Sequence, residues 1–171
     1  EEEEKDKINN PPPVPPVVIP EPTNQPVGDA EPRTLYVRRD VLNAEEVIRW
    51  AKAVGFETTL PADDMHVTIA YSRTPVDWMK IGEAWGSKLE LPEGGPRLME
   101  TFGEGAQVLL FKSSELEWRH ESIQNSGASW DHPEYQPHIT ISYGPMPEGV
   151  TPYQGKIVLG PEIFEEVKED W

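Results

Sequence analysis

The chain has 171 residues, 15 basic against 31 acidic, 19 prolines and no cysteine. That length fits one domain plus a tail, and the missing cysteines exclude disulfides, zinc–thiolate sites and thiol catalysis. The net charge of −16 excludes long nucleic acid as a partner, because binders of a phosphate backbone rely on basic patches.

Residues 1–32 open on the charge run EEEEKDK and hold nine of the 19 prolines. Proline without apolar periodicity favours extended polyproline II over a packed core. The segment therefore reads as a disordered acidic, proline-rich linker, with a ligand for a proline-recognising domain as the alternative. Up to residue 30 it carries seven acids and two lysines, so most of the negative charge belongs to the folded part. That surface still suits a small phosphorylated ligand, which needs only a few local donors. The chain begins at Glu1 rather than Met and reads as a fragment or processed product. No apolar run approaches the ~18 residues of a membrane helix, and no signal peptide is visible, so no membrane partner is expected.

The folded part begins at Arg33. Thr34–Arg38 is β-branched and aromatic, a strand pattern. Asn43 with Glu46 matches a capping box, and Val47, Trp50, Ala51 and Val54 then repeat as an amphipathic helix stripe. Gly55 suits the left-handed residue that ends such a helix. His66–Tyr71 is strand-like. Residues 74–105 are rich in Gly, Pro, Glu and Trp and resist assignment, although Asp77–Lys88 fits a helix. Ala106–Phe111 is a buried strand, Ser114 with Glu117 opens a helix of about ten residues, and His138–Tyr143 and Lys156–Leu159 are further strands. Strands mixed with two main helices indicate an α+β fold.

The sharpest feature is a duplication. HVTIAY at 66–71 and HITISY at 138–143 both spell His, apolar, Thr, apolar, small, Tyr, about half the folded length apart. On a strand His66 and Thr68 share one face while Val67 and Ile69 share the other, and His138 and Thr140 stand likewise against Ile139 and Ile141. Polar side chains in phase on apolar strands call for a partner or a ligand. A pseudo-twofold arrangement would set the two His/Thr pairs across a groove. One neutral imidazole can then take a proton while the opposite imidazolium gives one, and two hydroxyls can stabilise charge on a phosphate between them. A metal site on His66 and His138 lacks an evident third ligand at suitable spacing, so no metal and no other cofactor is expected.

These two motifs resemble those of the 2H phosphoesterase superfamily, named for paired H-h-[ST]-h sequences on two lobes. The resemblance spans about residues 33–171. It implies an α+β domain of two pseudo-symmetric lobes, each a small antiparallel sheet with a helix, around a central groove. More narrowly, RTLYVRRDVLNAEEVIRWAKAVGF, HVTIAYSRTPVDW and QPHITISYG are similar to segments of the phage anti-CBASS nuclease family. Enzymes of that family cleave the cyclic di- and trinucleotides that bacterial cyclases make as alarm signals upon infection. The resemblance implies metal-independent hydrolysis of 3′–5′ linkages in such signals, 3′,3′-cyclic GMP–AMP among them, in the cytoplasm of the infected bacterial host.

His66, Thr68, His138 and Thr140 would inherit the four catalytic positions. One histidine would activate the neighbouring 2′-hydroxyl or a water, and the other would protonate the leaving 5′-oxygen; which does which stays open. Tyr36 would be the base-contacting tyrosine. Glu165 and Trp171 would be the acidic residue and the aromatic that close the pocket, with Glu166 as the alternative acid. Family domains also occur behind portal-like phage proteins, which would suit residues 1–32 as a tether to a larger protein. A homo-oligomer stays open. The competing functions are an RNA-end 2′,3′-cyclic phosphodiesterase and a catalytically idle binding module of a larger portal-like protein.

The remaining candidates are weaker. His120 and His132 have no repeated partner and read as ordinary polar residues. Trp50 belongs to the first helix's apolar stripe. Trp78, Trp85, Trp118 and Trp130 are candidates for a base-stacking surface. Asp63 and Asp64 fit a solvated turn or the orientation of a histidine, and Arg73 fits either a phosphate contact or the surface.

Overall fold

The computed structural model describes residues 32–168. The segment 1–31 and the terminal Trp171 lie outside the described residues. β1 (Arg33–Val41) turns Leu35, Val37, Arg39 and Val41 inward, an alternation in which Arg39 is the one polar member. α1 (Ala44–Val54) buries Ala44, Val47 and Ala51, and Gly55 ends it at φ +113°, a conformation that favours glycine. Its expected capping box does not form. Asn43 instead spends its side chain on the distant strand that starts at Ile157, donating to the Lys156 carbonyl at 2.8 Å and accepting from Val158 N–H at 3.0 Å.

β2 (His66–Val76) follows a short 3₁₀ turn at Ala62–Asp64. The helix expected over Asp77–Lys88 shrinks to α2 (Trp78–Ile81). Asp77 caps it, and Gly82 at φ +91° stops it after one turn. The unassigned middle contains β3 (Leu89–Leu91) and β4 (Arg97–Phe102). β5 (Ala106–Phe111) runs as expected. α3 (Ser114–Asn125) starts one residue earlier than the pattern suggests, because Ser113 accepts the Leu116 N–H at 3.2 Å. β6 (His138–Ser142) carries the second motif, and the last strand, β7 (Ile157–Glu165), extends well past Leu159.

All strand pairs are antiparallel. They form a four-stranded sheet in the order β2-β1-β7-β3 and a three-stranded sheet in the order β4-β5-β6. The order β1-α1-β2 recurs as β5-α3-β6, so the duplicated hexapeptide marks a duplicated strand–helix–strand unit in an α+β fold. β2 and β6 are edge strands, and they contact one another. Val67, Ile69, Ile139 and Ile141 are fully buried in a core shared by both sheets, each contributing ~1.5–3 kcal/mol by leaving water.

Each motif also carries a β-bulge at the same place. Val37 pairs with Ala70 and Arg38 with Thr68, which leaves Ile69 over; Gln107 pairs with Ser142 and Val108 with Thr140, which leaves Ile141 over. A bulge takes a carbonyl out of the ladder and re-aims the neighbouring side chains. Both freed carbonyls are satisfied from outside the sheet: Ile69 accepts from His120 Nδ1 at 2.7 Å, and Ile141 from Leu60 N–H at 2.8 Å. Among the described residues no helix is long and apolar enough to cross a membrane.

Candidate functional site

His66 and His138 stand at the first position of β2 and β6. Each ring is held by the carbonyl two residues before it. His66 Nδ1 lies 2.8 Å from the Asp64 oxygen, and His138 Nδ1 lies 2.8 Å from the Gln136 oxygen. A carbonyl can only accept, so Nδ1 carries the proton in both rings and each neutral imidazole keeps its lone pair on Nε2. Asp64 thus orients His66 through its backbone rather than its carboxylate. Burial pushes His138 below the ordinary histidine value; the Gln136 carbonyl opposes that fall, while His66 and His132 add to it. His66 and His138 are therefore near enough to repel one another when charged.

Thr68 and Thr140 lie two residues further along, on the same face as their histidines. The Tyr36 phenol hydrogen-bonds the Thr68 side chain, and its ring meets His66 edge-on at 6.3 Å. Burial raises the Tyr36 phenol above its usual value, so it stays a neutral donor at physiological pH. In the other lobe Phe102 makes the matching edge contact with His138 at 4.9 Å. The bulge at Ile69 brings Tyr71 opposite Tyr36, with ring centroids 5.7 Å apart.

A groove of ≈ 820 Å³ runs past Thr68 and His138, walled by Tyr71, Phe102, Trp130 and His132. This volume matches small-ligand sites. Of the four candidate stacking tryptophans, Trp130 alone reaches this groove. Trp78 packs on Phe164 under Arg33, while Trp85 and Trp118 stack on each other elsewhere. Arg73 lines the groove, but Asp131 holds it at 3.4 Å.

His120 is not an ordinary polar residue. It is 7% exposed, its ring lies flat on Tyr135 at 4.2 Å, and Tyr135 in turn donates to the Thr68 carbonyl at 2.7 Å. Glu165 is the cross-strand partner of Tyr36 and holds Arg38 at 2.9 Å, whereas Glu166 is exposed beside Arg33. Arg38 and Phe102 escape the sequence reading. Arg38 could have been found two residues after Tyr36 on one strand face; Phe102 lies in a strand that its composition hides. Among the described residues no three His, Asp or Glu side chains gather as metal ligands.

Comparison with known proteins settles the family. The family model described as "Anti-CBASS protein Acb1" matches residues 33–171. The chain belongs to the anti-CBASS Acb1 family. It is 56% identical over 158 residues to the Acb1 protein of Caulobacter sp. (strain RHG1), across 88% of this chain and 25% of that one. It is 33% identical to the Acb1 proteins of Acinetobacter phage Ac42 and Enterobacteria phage T4, covering 75% and 72% of their lengths. The chain thus spans about a quarter of the length of the first curated relatives it matches. The Acb1 domain here has the 2H phosphoesterase fold. A crystal structure of E. coli LigT complexed with 3′-AMP superposes with a TM-score of 0.54 at 16% identity, over 78% of this chain and 87% of that one.

Proposed function

We propose that this chain is a phosphodiesterase that hydrolyses the 3′–5′ linkages of cyclic di- and trinucleotide signals, such as 3′,3′-cyclic GMP–AMP. In the infected bacterial cytoplasm that reaction would disarm cyclic-oligonucleotide immunity. The observation that carries the reading is the duplicated His–x–Thr pair on two edge strands that touch, with both imidazoles turned the same way by a carbonyl. The family membership and the acidic surface, which disfavours long RNA, support it.

In this mechanism His138, kept neutral by burial, is the general base. Its Nε2 takes a proton from the 2′-hydroxyl or a water that attacks phosphorus. His66, as imidazolium, protonates the departing 5′-oxygen from its own Nε2. Thr68 and Thr140 donate to the non-bridging oxygens and stabilise the charge that builds there. Tyr36 positions Thr68 and contacts a base, and Glu165 fixes Arg38 beside it. No metal takes part. Residues 33–171 form the catalytic domain and 1–32 tether it to a larger protein, in keeping with relatives of which this chain spans a quarter.

The test compares rates on 3′,3′-cyclic GMP–AMP and on a linear RNA ending in a 2′,3′-cyclic phosphate. A faster rate on the cyclic dinucleotide is expected. A preference for the RNA end would move the same site to that substrate, and capture of both ligands without turnover would make the domain an idle binding module.

A further inference from the structure

The bulge at Ile69 sets the phase of β2 beyond it. Ile69 and Ala70 are both buried, so Thr68 before the bulge and Tyr71 and Arg73 after it share one face, and all three line the groove. Among the described residues of that lining, Arg73 is the sole arginine or lysine. The duplicated strand has no counterpart: Pro145 stands two residues after Tyr143, where Arg73 stands two after Tyr71. The repeat itself therefore does not require this cation.

The Arg73 guanidinium carbon lies 5.5 Å from the centre of the Tyr71 ring, so the side chain folds back along the strand towards Thr68. Its Nε meets Asp131 at 3.4 Å, and neither terminal nitrogen has a hydrogen-bond partner among the described residues. The arginine side chain is 70% exposed and the aspartate 49%, and so open a pair contributes little and is readily exchanged. Arg38, the arginine opposite Thr68 on β1, differs in being held by two carboxylates, Asp40 at 3.2 Å and Glu165 at 2.9 Å. A guanidinium fork with free terminal nitrogens matches the oxygens of a phosphate.

A cyclic dinucleotide brings two phosphates. With one of them between the His/Thr pairs, the other is left across the ring in a groove whose carboxylates, Asp131 and Glu134, repel it. We propose that Arg73 exchanges Asp131 for this non-scissile phosphate, and so favours substrates with two phosphates over those with one. The inference rests on the function proposed above for the same groove.

The test compares wild type, Arg73→Gln and Asp131→Asn on 3′,3′-cyclic GMP–AMP and on linear guanylyl-(3′→5′)-adenosine, which has the scissile linkage but no second phosphate. Both side chains are exposed, so both variants should fold as the wild type does. Arg73→Gln should raise KM for the cyclic substrate ~10-fold or more, the scale of one charge-assisted hydrogen bond, with kcat nearly unchanged and the linear substrate unaffected. Asp131→Asn removes the competing carboxylate and should lower KM for the cyclic substrate. Equal losses on both substrates, or an Asp131→Asn variant as impaired as Arg73→Gln, would make the pair a strut of the groove wall and overturn the proposal. A KM insensitive to Arg73→Gln would overturn it too. Calorimetric titration of His138→Gln and of His138→Gln/Arg73→Gln with 3′,3′-cyclic GMP–AMP separates this proposal from the function it rests on. Absence of turnover in the wild type refutes the phosphodiesterase reading, whereas binding ~10-fold weaker in the double variant still supports the role of Arg73; no binding to either protein overturns both.

Discussion

His120→Phe isolates one hydrogen bond at the rear of the site. The imidazole is 7% exposed and donates at 2.7 Å to the Ile69 carbonyl, which the bulge has removed from the sheet ladder. Phenylalanine keeps a flat ring against Tyr135, now stacked at 4.2 Å and 7°, so the aromatic contact survives while the donor goes. What remains is a buried carbonyl without a partner, a loss of ~1–3 kcal/mol. For a domain of roughly 140 residues one kcal/mol is worth about 3 °C, so Tm should fall by ~3–10 °C. Because Ile69 follows Thr68 directly, the released bulge should also lower the rate on a cyclic dinucleotide by ~10-fold. Thermal and urea denaturation give the stability, and initial rates give the second effect. His120→Gln, which retains a donor, should recover part of both. A Tm equal to that of the wild type would refute the role assigned to this hydrogen bond.

Burial holds both His120 and His138 below the ordinary histidine value. In the unfolded chain each returns to ~6.5, so on acidification the unfolded state binds protons first. Stability should be full above ~6.5 and fall as pH drops through the folded values; His120→Gln and His138→Gln should each flatten that decline in urea titrations at about pH 5 and about pH 7.5. An unchanged slope in both variants would contradict the burial argument. The pH–rate profile should be bell-shaped, with its acid limb below ~6.5 set by His138; an acid limb that persists in His138→Ala would reassign the base. Glu162→Gln leaves Arg119, 5% exposed as a side chain, without its counter-charge, and should cost ~3–5 kcal/mol by urea unfolding. A cost below ~1 kcal/mol would mean that Arg119 finds another partner.

The site's two central strands were legible because their motif obeys one simple rule. Apolar residues at 67, 69, 139 and 141 alternate with His and Thr, and the buried face follows from that period. The helix over 114–125 was harder to place in the core. Its inner face is Leu116, Arg119, His120 and Ile123, so half of its stripe is polar and its pattern looks weakly amphipathic. Those two residues are satisfied by Glu162 and by a bulge carbonyl, partners that lie 43 and 51 positions away in the chain. Sequence periodicity carries no trace of such distant pairs. β3 and β4 were hidden for a different reason: β3 has only three residues, and β4 buries none of its six, with Leu98 exposed, so no apolar period marks either. The Asn43 box failed because a nearby strand offered two better backbone partners than the helix start did.

In the proposed mechanism two histidines on edge strands that touch cleave a phosphodiester without a metal. Incubation with 3′,3′-cyclic GMP–AMP in EDTA, followed by chromatography and mass analysis, tests it directly. Linear product is expected from the wild type, with a loss of ~10²-fold or more in both His66→Ala and His138→Ala. Activity abolished by EDTA and restored by a divalent ion, or turnover undiminished in the histidine variants, would contradict it.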